Sequence, residues 1–456
     1  MDPKESALSV IENLNNAKYA TVWIKMTQEV KKNLSPEKLE QIWKSIVTQC
    51  GEYQSSEVLS HDEKKLTGKE QNIVFNIVLC KIIFKNKSMQ ARISFNGNKI
   101  AGLFFTDDFP VGAQYKLPEY VNRETLAAEK IIIGKGSEWQ LPGEIAYPKL
   151  KTENQKYPTV ILVHGSGAND QDETIGPNKP FLDLTFGLTA SGFAVIRYYK
   201  RTLMYNQKIA QTREDLTVQE EVIDDLINAI KFASTHKVVD INNIIILGHS
   251  LGGYLLPRIY NNIIKAQEDV EENEDPFKLA KIRGLVLFAA TARPLEDLVL
   301  EQFQYILGLK PSSKNDLILE NLKKQVENVK SLEENSELKF SELPLSLPKK
   351  YWLDLDKYDP CAILEKILEK TNNELSVIVL QGGRDYQATE EDFNLWKQVI
   401  SNFKNEKNIV KFYEKLNHDF GEGEGKAVPE EYLTEHKSVH ISVIQDIAEW
   451  INSIQN

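Results

Sequence analysis

The chain has 456 residues, enough at about 150 residues per domain for two or three domains with hydrophobic cores of their own. Hydrophobic residues make up 41% of the chain and charged residues 27%, which excludes a wholly disordered protein. The 55 basic and 66 acidic residues give a net charge of −11, which would repel phosphate backbones, so no nucleic-acid partner is expected.

Membrane-spanning and disulfide-stabilised proteins are excluded as well. No run of about 18 apolar residues occurs, so no membrane span is expected. Cys50, Cys80 and Cys361 are too few and too scattered for a disulfide framework, and none forms a CxxC pair suited to zinc or redox chemistry. The start MDPKESALSV has no long apolar segment, so it is not a secretory leader. We therefore expect a cytoplasmic protein, or a secreted one if a leader has been removed.

The N-terminal part of the chain is expected to form a small α+β domain. Apolar residues from Val22 to Val30 recur at helical spacing, and Ser35-Pro36 opens a further helix. The runs Asn72 to Phe84 and Ala91 to Phe105 are rich in β-branched and aromatic residues, and the second contains Asn96-Gly97-Asn98 as a hairpin turn. No catalytic or metal-ligand pattern occurs in this part, so its role is not predicted.

Residues 108–128 carry two prolines and no periodicity, which indicates a linker between a domain at 1–107 and a second domain at 129–456. In the second domain, short apolar runs alternate with helical segments, which predicts a mostly parallel sheet flanked by helices. The candidate strands are Glu144–Tyr147, Thr159–Val163, Ala194–Tyr198, Ile244–Leu247, Leu285–Phe288 and Ser376–Leu380. One helix is expected to begin at Thr217, with Glu220 completing a capping box.

The alternation breaks between about Pro294 and Pro360, where helical segments precede a proline-punctuated stretch. An excursion of this length after a strand predicts an insertion above the sheet, and such insertions often form lids over active sites. The acidic run Glu268–Pro276 is interpreted as a solvated loop, because blocks of like charge usually lie on the surface.

The segment at residues 241–260 carries the main catalytic signal. An apolar strand runs into the glycine-rich turn GHSLGG and then into a helical stretch, which is the setting of a G-x-S-x-G nucleophile elbow. Ser250 must lie on a tight turn that exposes its hydroxyl, and side chains at Gly248 or Gly252 would collide there. Ser250 is therefore the predicted nucleophile.

A serine hydroxyl needs a base to remove its proton, and the base needs an acid to orient it. In this architecture the order along the chain is serine, acid, histidine. Asp385 directly follows a buried strand and is the predicted acid, with Asp392 and Asp419 as alternatives. Of the seven histidines, only His418 lies in the required order and in a loop after a β-like run, so it is the predicted base.

Acyl transfer also needs hydrogen-bond donors for the oxyanion. One is the backbone N–H of Leu251, directly after the nucleophile, and the other should come from the loop after an earlier strand. In the turn HGSG the N–H of Ser166 is the predicted donor, with Gly165 nearby. His164 and His249 flank glycine turns, where a structural hydrogen bond is the expected role.

Three cations, Arg197, Lys200 and Arg201, lie beyond a strand end. We expect them to pair with acids of the neighbouring loop, although binding of a substrate carboxylate stays open. Those acids are Asp170, Asp172 and Glu173. No histidine accompanies the acids in sequence, so neither a metal nor another cofactor is predicted.

At these residues the chain resembles the α/β-hydrolase superfamily, and more narrowly bacterial serine esterases that carry an uncharacterised N-terminal α+β domain. The resemblance covers nearly all of residues 130–456 and rests on the motifs HGSGANDQDETIGPNKPF (164–181), RYYKRT (197–202), GHSLGG (248–253), QGGRDYQ (381–387) and LNHDF (416–420). It implies an α/β-hydrolase fold and ester hydrolysis by Ser250, Asp385 and His418 without a cofactor. Relatives tend to have Asp at Tyr199 and an apolar residue at Asp419, departures that would alter local charge.

The predicted function is hydrolysis of small or short-chain carboxylic esters through an acyl-enzyme intermediate, with a small-molecule ester as the partner. The same triad supports peptide or amide cleavage and acyl transfer, so these reactions stay open. A non-catalytic binding protein on a hydrolase scaffold is a further alternative. The sequence also leaves open whether the chain forms homo-oligomers.

Overall fold

The computed structural model describes residues 2–67, 72–107, 114–149, 152, 154–269, 275–356, 358–371 and 374–455. The chain divides into two compact units, residues 1–113 and 114–456. Residues 270–274 of the predicted acidic loop lie outside the described residues. Within the described chain, every helix is too short or too polar to cross a membrane.

The first unit combines helices with an antiparallel sheet in the order β1-β2-β3-β4. Its elements are α1 (Pro3–Asn15), α2 (Tyr19–Ile24), α3 (Gln28–Asn33), α4 (Pro36–Cys50), β1 (Tyr53–Thr67), β2 (Asn72–Phe84), β3 (Ser88–Asn96) and β4 (Lys99–Asp107). Ser35 caps α4 by accepting a hydrogen bond from the N–H of Lys38. The hairpin turn lies where the sequence predicts it, because Gly97 supplies a φ of +55°. Cys80 is buried in the core between the helices and the sheet.

The described strands of the second unit form an eight-stranded sheet in the order β12-β11-β10-β9-β7-β8-β6-β5. They are β5 (Leu126–Ile133), β6 (Leu141–Pro148), β7 (Tyr157–Val163), β8 (Ala194–Tyr198), β9 (Val239–His249), β10 (Ile282–Phe288), β11 (Ser376–Gly382) and β12 (Ile409–Tyr413). From β8 to β12 all neighbours are parallel, whereas β6 runs antiparallel to both β5 and β8.

Helices cover both faces of this sheet. They are α5 (Pro180–Ala190), α6 (Arg201–Met204), α7 (Asn206–Gln211), α8 (Asp224–Thr235), α9 (Leu251–Glu268), α10 (Pro276–Leu279), α11 (Leu295–Gly308), α12 (Ser313–Lys330), α13 (Lys349–Leu355), α14 (Pro360–Thr371), α15 (Glu390–Ser401), α16 (Pro429–Thr434) and α17 (Ile441–Ile454). Along β9, Ile244 and Ile246 belong to one core, while Ile245 and Leu247 belong to the other. A strand buried on both faces must be continuously apolar. The predicted α/β-hydrolase fold is confirmed.

One edge of the sheet differs from the prediction. The edge strand β5 is absent from the predicted strands, and its first residues, 126–128, fall in the predicted linker. Its burial alternates, with Ile131 and Ile133 buried but Lys130 and Ile132 more exposed, so it lacks a continuous apolar run. The strand predicted at Glu144–Tyr147 exists as part of β6, which is antiparallel to both of its neighbours within this mostly parallel sheet.

The predicted helix start at Thr217 opens with the expected side-chain contact. The N–H of Thr217 donates to the carboxylate of Glu220 at 2.9 Å. A wide helical turn at Gln219–Ile223 then leads into α8. This contact fixes where the chain enters the helical layer next to the sheet.

The insertion expected at about 294–360 lies between β10 and β11. Its helices α11, α12 and α13 span residues 295–355, and the following helix α14 packs against α9. The side chains of Tyr351 and Trp352 on α13 are 2% and 1% exposed, so α13 is held by a packed interior.

Replacing Gly284 with alanine is expected to destabilise the fold. A Cβ at Gly284, which lies on β10, would stand 2.5 Å from Trp450 and 2.9 Å from Ile454 on α17. Such overpacking costs about 1–3 kcal/mol, to be measured by urea unfolding. Gly308→Ala is the matched control, because a Cβ added there would meet no atom within 4 Å. An equal loss of stability in both variants would contradict this packing account.

Candidate active site

Ser250 lies on the tight turn between β9 and α9. Its φ of +51° is rare for a residue with a side chain and indicates local backbone strain. The N–H of Ser250 donates to the carbonyl of Phe288 at 3.0 Å, which ties the turn to β10. A Cβ on Gly252 would lie 2.6 Å from the carbonyl oxygens of Val163 and His164, so only glycine allows α9 to approach β7 so closely.

The structure brings Asp385 and His418 into direct contact. Nδ1 of His418 donates to Oδ2 of Asp385 at 2.7 Å, and His418 and Asp385 are 3% and 8% exposed. The same carboxylate accepts hydrogen bonds from the N–H groups of Gln387 and Ala388 and from the side chain of Gln381. These bonds fix the carboxylate, which in turn fixes the imidazole with Nε2 as its remaining acceptor.

His418 lies beside the turn that carries Ser250. Nε2 of His249, the residue before Ser250, donates to the backbone carbonyl of His418 at 3.2 Å, and the centroids of the two imidazole rings are 4.7 Å apart. The hydroxyl of Ser250 makes no hydrogen bond to another described residue. The hydrogen bond between a catalytic serine and its histidine often forms fully only with substrate present.

Both predicted oxyanion donors line the same cavity as Ser250. The cavity has a volume of about 390 Å³, and Ser166 and Leu251 contribute to its wall. Among the described residues, no acceptor is found for the backbone N–H of either residue. The loop before Ser166 is held by Glu173, whose carboxylate accepts from the N–H of Gly165 at 2.7 Å.

The rest of the cavity wall comes mainly from the insertion and is largely apolar. Besides Gly167 and Ala168, which directly follow Ser166, its described members beyond the predicted site are Thr202, Leu216, Glu221, Thr291, Leu295, Leu298, Val299, Gln302, Leu345, Leu347, Tyr351 and Gln387. Apart from Thr202 and Gln387, which end two of the motifs, these residues are not singled out by the sequence. The members from Thr291 to Tyr351 have one signal, a position in or near the predicted lid, which does not tell which side chains line the cavity. Leu216 and Glu221 lie outside that lid and have no such signal.

His249 and Glu173 form a buried charged pair next to the serine. Both ring nitrogens of His249 face acceptors, since Nδ1 lies 2.8 Å from Glu173 and Nε2 contacts the carbonyl of His418. Burial alone would lower the pKa of His249, but the carboxylate of Glu173 raises it. His164 instead donates from Nε2 to the carbonyl of Tyr198 at 2.6 Å, and burial lowers its pKa.

The acids of the loop after β7 serve mainly to shape that loop. Asp170 accepts hydrogen bonds from the N–H groups of Asp172 and Thr174, and Asp172 pairs with Lys179 at 2.8 Å. Within the described part of the chain, no group of three or more His, Cys, Asp or Glu side chains is arranged to hold a metal ion.

Arg197 lies on β8 and Lys200 and Arg201 follow that strand, and all three cations are buried and already paired. The pairs are Arg197 with Asp172 and Glu144, Lys200 with Glu221, and Arg201 with Asp225. The expected pairing with the acidic loop is therefore right for Arg197 and wrong for Lys200 and Arg201. The partners of these two lie on the helical segment 219–235, which is distant in sequence.

The two alternative acids take other positions. Asp392 is fully buried and accepts hydrogen bonds from the backbone N–H of Ala292 and from the side chain of Arg293. Asp419 is 4% exposed, and neither of its carboxylate oxygens has a hydrogen-bond partner among the described residues. Burial raises the pKa of Asp419 to about 6, an effect partly offset by the nearby imidazoles of His249 and His418.

The chain is similar to known proteins over both of its units. The family described as a protein of unknown function (DUF3887) matches residues 7–103. Esterase EstD of Thermotoga maritima is 33% identical over 453 residues, which is 98% of this chain and 95% of that protein.

Two solved esterase structures are similar at lower identity. One, a fungal esterase of Rhizomucor miehei, is 14% identical with a TM-score of 0.42 and covers 75% of this chain and 85% of its own. The other, an esterase of Pyrococcus furiosus, is 13% identical with a TM-score of 0.39, and the match covers 76% of this chain and 98% of that esterase.

The substitution Asp419→Asn is expected to stabilise the protein at neutral pH. Because the folded-state pKa is raised, ionising this carboxyl costs stability as the pH rises from about 4, the value in the unfolded chain, through about 6. The gain should be on the order of 3 kcal/mol above pH 7 and should vanish toward pH 4. Urea unfolding across this pH range measures it.

The control for this series is Glu320→Gln, a neutralisation on the exposed surface of α12. It should leave the pH profile of stability unchanged. A loss of stability in Asp419→Asn at pH 7 would show that the carboxylate has a stabilising partner. A gain that persists at pH 4 would show that the gain does not come from the ionisation of this carboxyl.

Proposed function

We propose, since this chain belongs to the same protein family as Esterase EstD of Thermotoga maritima, that it hydrolyses carboxylic esters through a covalent acyl-enzyme intermediate. Ser250 is the proposed nucleophile, His418 the base and Asp385 the acid that orients it. The observation that carries the proposal is the 2.7 Å contact between His418 and Asp385, held beside the serine turn by His249.

The proposed reaction follows from the arrangement of donors and acceptors. Ser250 attacks the ester carbonyl while Nε2 of His418 takes its proton, and Asp385 stabilises the resulting imidazolium. The N–H groups of Leu251 and Ser166 donate to the oxyanion. His418 then protonates the leaving alcohol, and a water molecule repeats the sequence to release the acid.

The cavity favours uncharged substrates with a short acyl chain. Its wall toward the insertion carries apolar side chains such as Leu298, Val299 and Leu347, which do not solvate a charge. The volume of about 390 Å³ is at the small end for ligand cavities, which supports small acyl and alcohol groups.

The substitution Ser250→Ala is expected to abolish ester hydrolysis. Loss of the nucleophile from a catalytic triad typically lowers kcat about a millionfold. The measurement is hydrolysis of an aryl acetate, together with labelling of the protein by a fluorophosphonate probe. Labelling should occur in the wild-type protein and be lost in the variant.

The matched control is Ser166→Ala, because Ser166 is proposed to act through its backbone N–H only. This variant should retain most of the activity and all of the labelling. Hydrolysis that survives in Ser250→Ala, or a probe that labels another residue, would refute the proposed nucleophile.

The substitution Leu347→Trp is expected to shift the substrate preference toward esters with shorter acyl chains. The half-buried side chain of Leu347 lines the cavity, so a larger side chain should exclude longer acyl groups first. We expect kcat/KM to fall at least about tenfold more for octanoate than for acetate esters, in line with the worth of a few methylenes in a pocket. The exposed residue Leu317 on α12 provides the control Leu317→Trp, which should leave the ratio unchanged. Equal losses for both esters would contradict the placement of the acyl chain.

A further inference from the structure

We propose that Lys200 is a positioning residue for the oxyanion hole and that it links this hole to the insertion through Glu221 and Tyr351. The inference rests on the proposed function and concerns the same site. Nζ of Lys200 donates to the carbonyl of Gly165 at 2.7 Å and to the carboxylate of Glu221 at 2.5 Å. The hydroxyl of Tyr351 donates to the other oxygen of Glu221 at 2.7 Å.

The contact with the Gly165 carbonyl matters because of peptide geometry. That carbonyl and the N–H of Ser166 belong to one peptide group, which is planar and trans, so they point in opposite directions. A side chain that holds the carbonyl therefore sets the direction of the N–H. The preceding peptide group, between His164 and Gly165, is held too, since the N–H of Gly165 donates to Glu173. Lys200 thus fixes the orientation of the proposed oxyanion donor.

The burial of Lys200 argues that its position is specified rather than incidental. Lys200 is 2% exposed, Glu221 5% and Tyr351 2%. Removing an ammonium and a carboxylate from water is unfavourable, and the pair offsets this cost only with good geometry and further hydrogen bonds. Here one further bond goes from Lys200 to Gly165, in the loop that carries Ser166, and the other joins Glu221 to Tyr351 on α13.

The charge of Lys200 also suits the reaction. The ammonium group of Lys200 bonds to the same peptide group that carries the proposed oxyanion donor, so its positive charge favours a developing oxyanion, and its burial leaves that charge weakly screened. The neighbouring pair of Arg201 and Asp225 is equally buried, but the hydrogen bonds of Arg201 go to residues of α8. The pair of Lys200 and Glu221 therefore contacts the loop that carries Ser166, whereas the pair of Arg201 and Asp225 does not.

The insertion enters this arrangement through α13. Tyr351 and Glu221 both line the cavity that contains Ser250, so the relay runs along the cavity wall. A substrate that displaces α13 would move the hydroxyl of Tyr351 away from Glu221 and loosen Lys200. Correct closure of the insertion over substrate should therefore favour the productive direction of the Ser166 N–H.

The test is the double variant Lys200→Met/Glu221→Gln, which removes both charges and leaves no buried ion unpaired. We expect kcat for an aryl ester to fall about tenfold to a hundredfold with little change in KM, less than the loss of a whole oxyanion donor. Affinity for a trifluoromethyl ketone, whose adduct with the serine carries the oxyanion, should fall in parallel with kcat/KM. A pair that only stabilises the fold would not lower kcat and ketone affinity while leaving KM nearly unchanged.

The matched control is Arg201→Met/Asp225→Asn, which removes the neighbouring buried pair. Unchanged kcat and unchanged ketone affinity in the Lys200 variant, or an equal loss of both in the control, would overturn the inference. If the Lys200 variant does not fold, Tyr351→Phe decides, because it removes one hydroxyl and no charge. It should lower kcat by a measurable factor of about two to ten, as expected for one hydrogen bond, and an unchanged kcat would overturn the proposed link.

This experiment also separates the inference from the proposed function. If the wild-type protein neither hydrolyses esters nor is labelled by a fluorophosphonate at Ser250, the proposed function fails. If the wild-type protein passes both tests and the Lys200 and Tyr351 variants match it, only the role of Lys200 fails.

Discussion

The hydrogen bond between Asp385 and His418 is the interaction on which the proposed site depends. The two residues come from loops after β11 and β12, neighbouring parallel strands whose carboxyl ends meet at one edge of the sheet. Ser250 follows β9 at the same edge, where glycine alone permits α9 to lie against the carbonyl groups after β7. The sheet thus supplies the proximity, and local hydrogen bonds supply the orientation.

Buried charges hold the loops around this interaction. The carboxylate of Glu173 contacts both the N–H of Gly165, in the loop that carries the proposed oxyanion donor Ser166, and the ring of His249. His249 in turn donates to the loop of His418. Lys200 holds the same loop through the carbonyl of Gly165. Each of these ions is costly to bury, and each is retained with hydrogen-bond partners. Asp419 differs, because its carboxylate is buried beside two imidazoles without a hydrogen bond to any described residue.

The sequence predicts the features that depend on local patterns. Continuous apolar runs mark the central strands, and the glycines around Ser250 mark a turn whose geometry few other residues allow. The edge strand β5 escapes prediction because one of its faces is exposed. The partners of Lys200 and Arg201 escape it because they lie on another element, and pairing across elements leaves no local signal. The cavity wall from the insertion is missed for the same reason.

The most direct test of the account is the activity of Asp385→Asn across pH. The asparagine keeps the size of the side chain but no longer holds His418 in the tautomer that the reaction requires. We expect kcat to fall by about 10⁴ while the protein remains folded. An activity within about tenfold of the wild-type protein at every pH would contradict the proposed role of the Asp385–His418 pair.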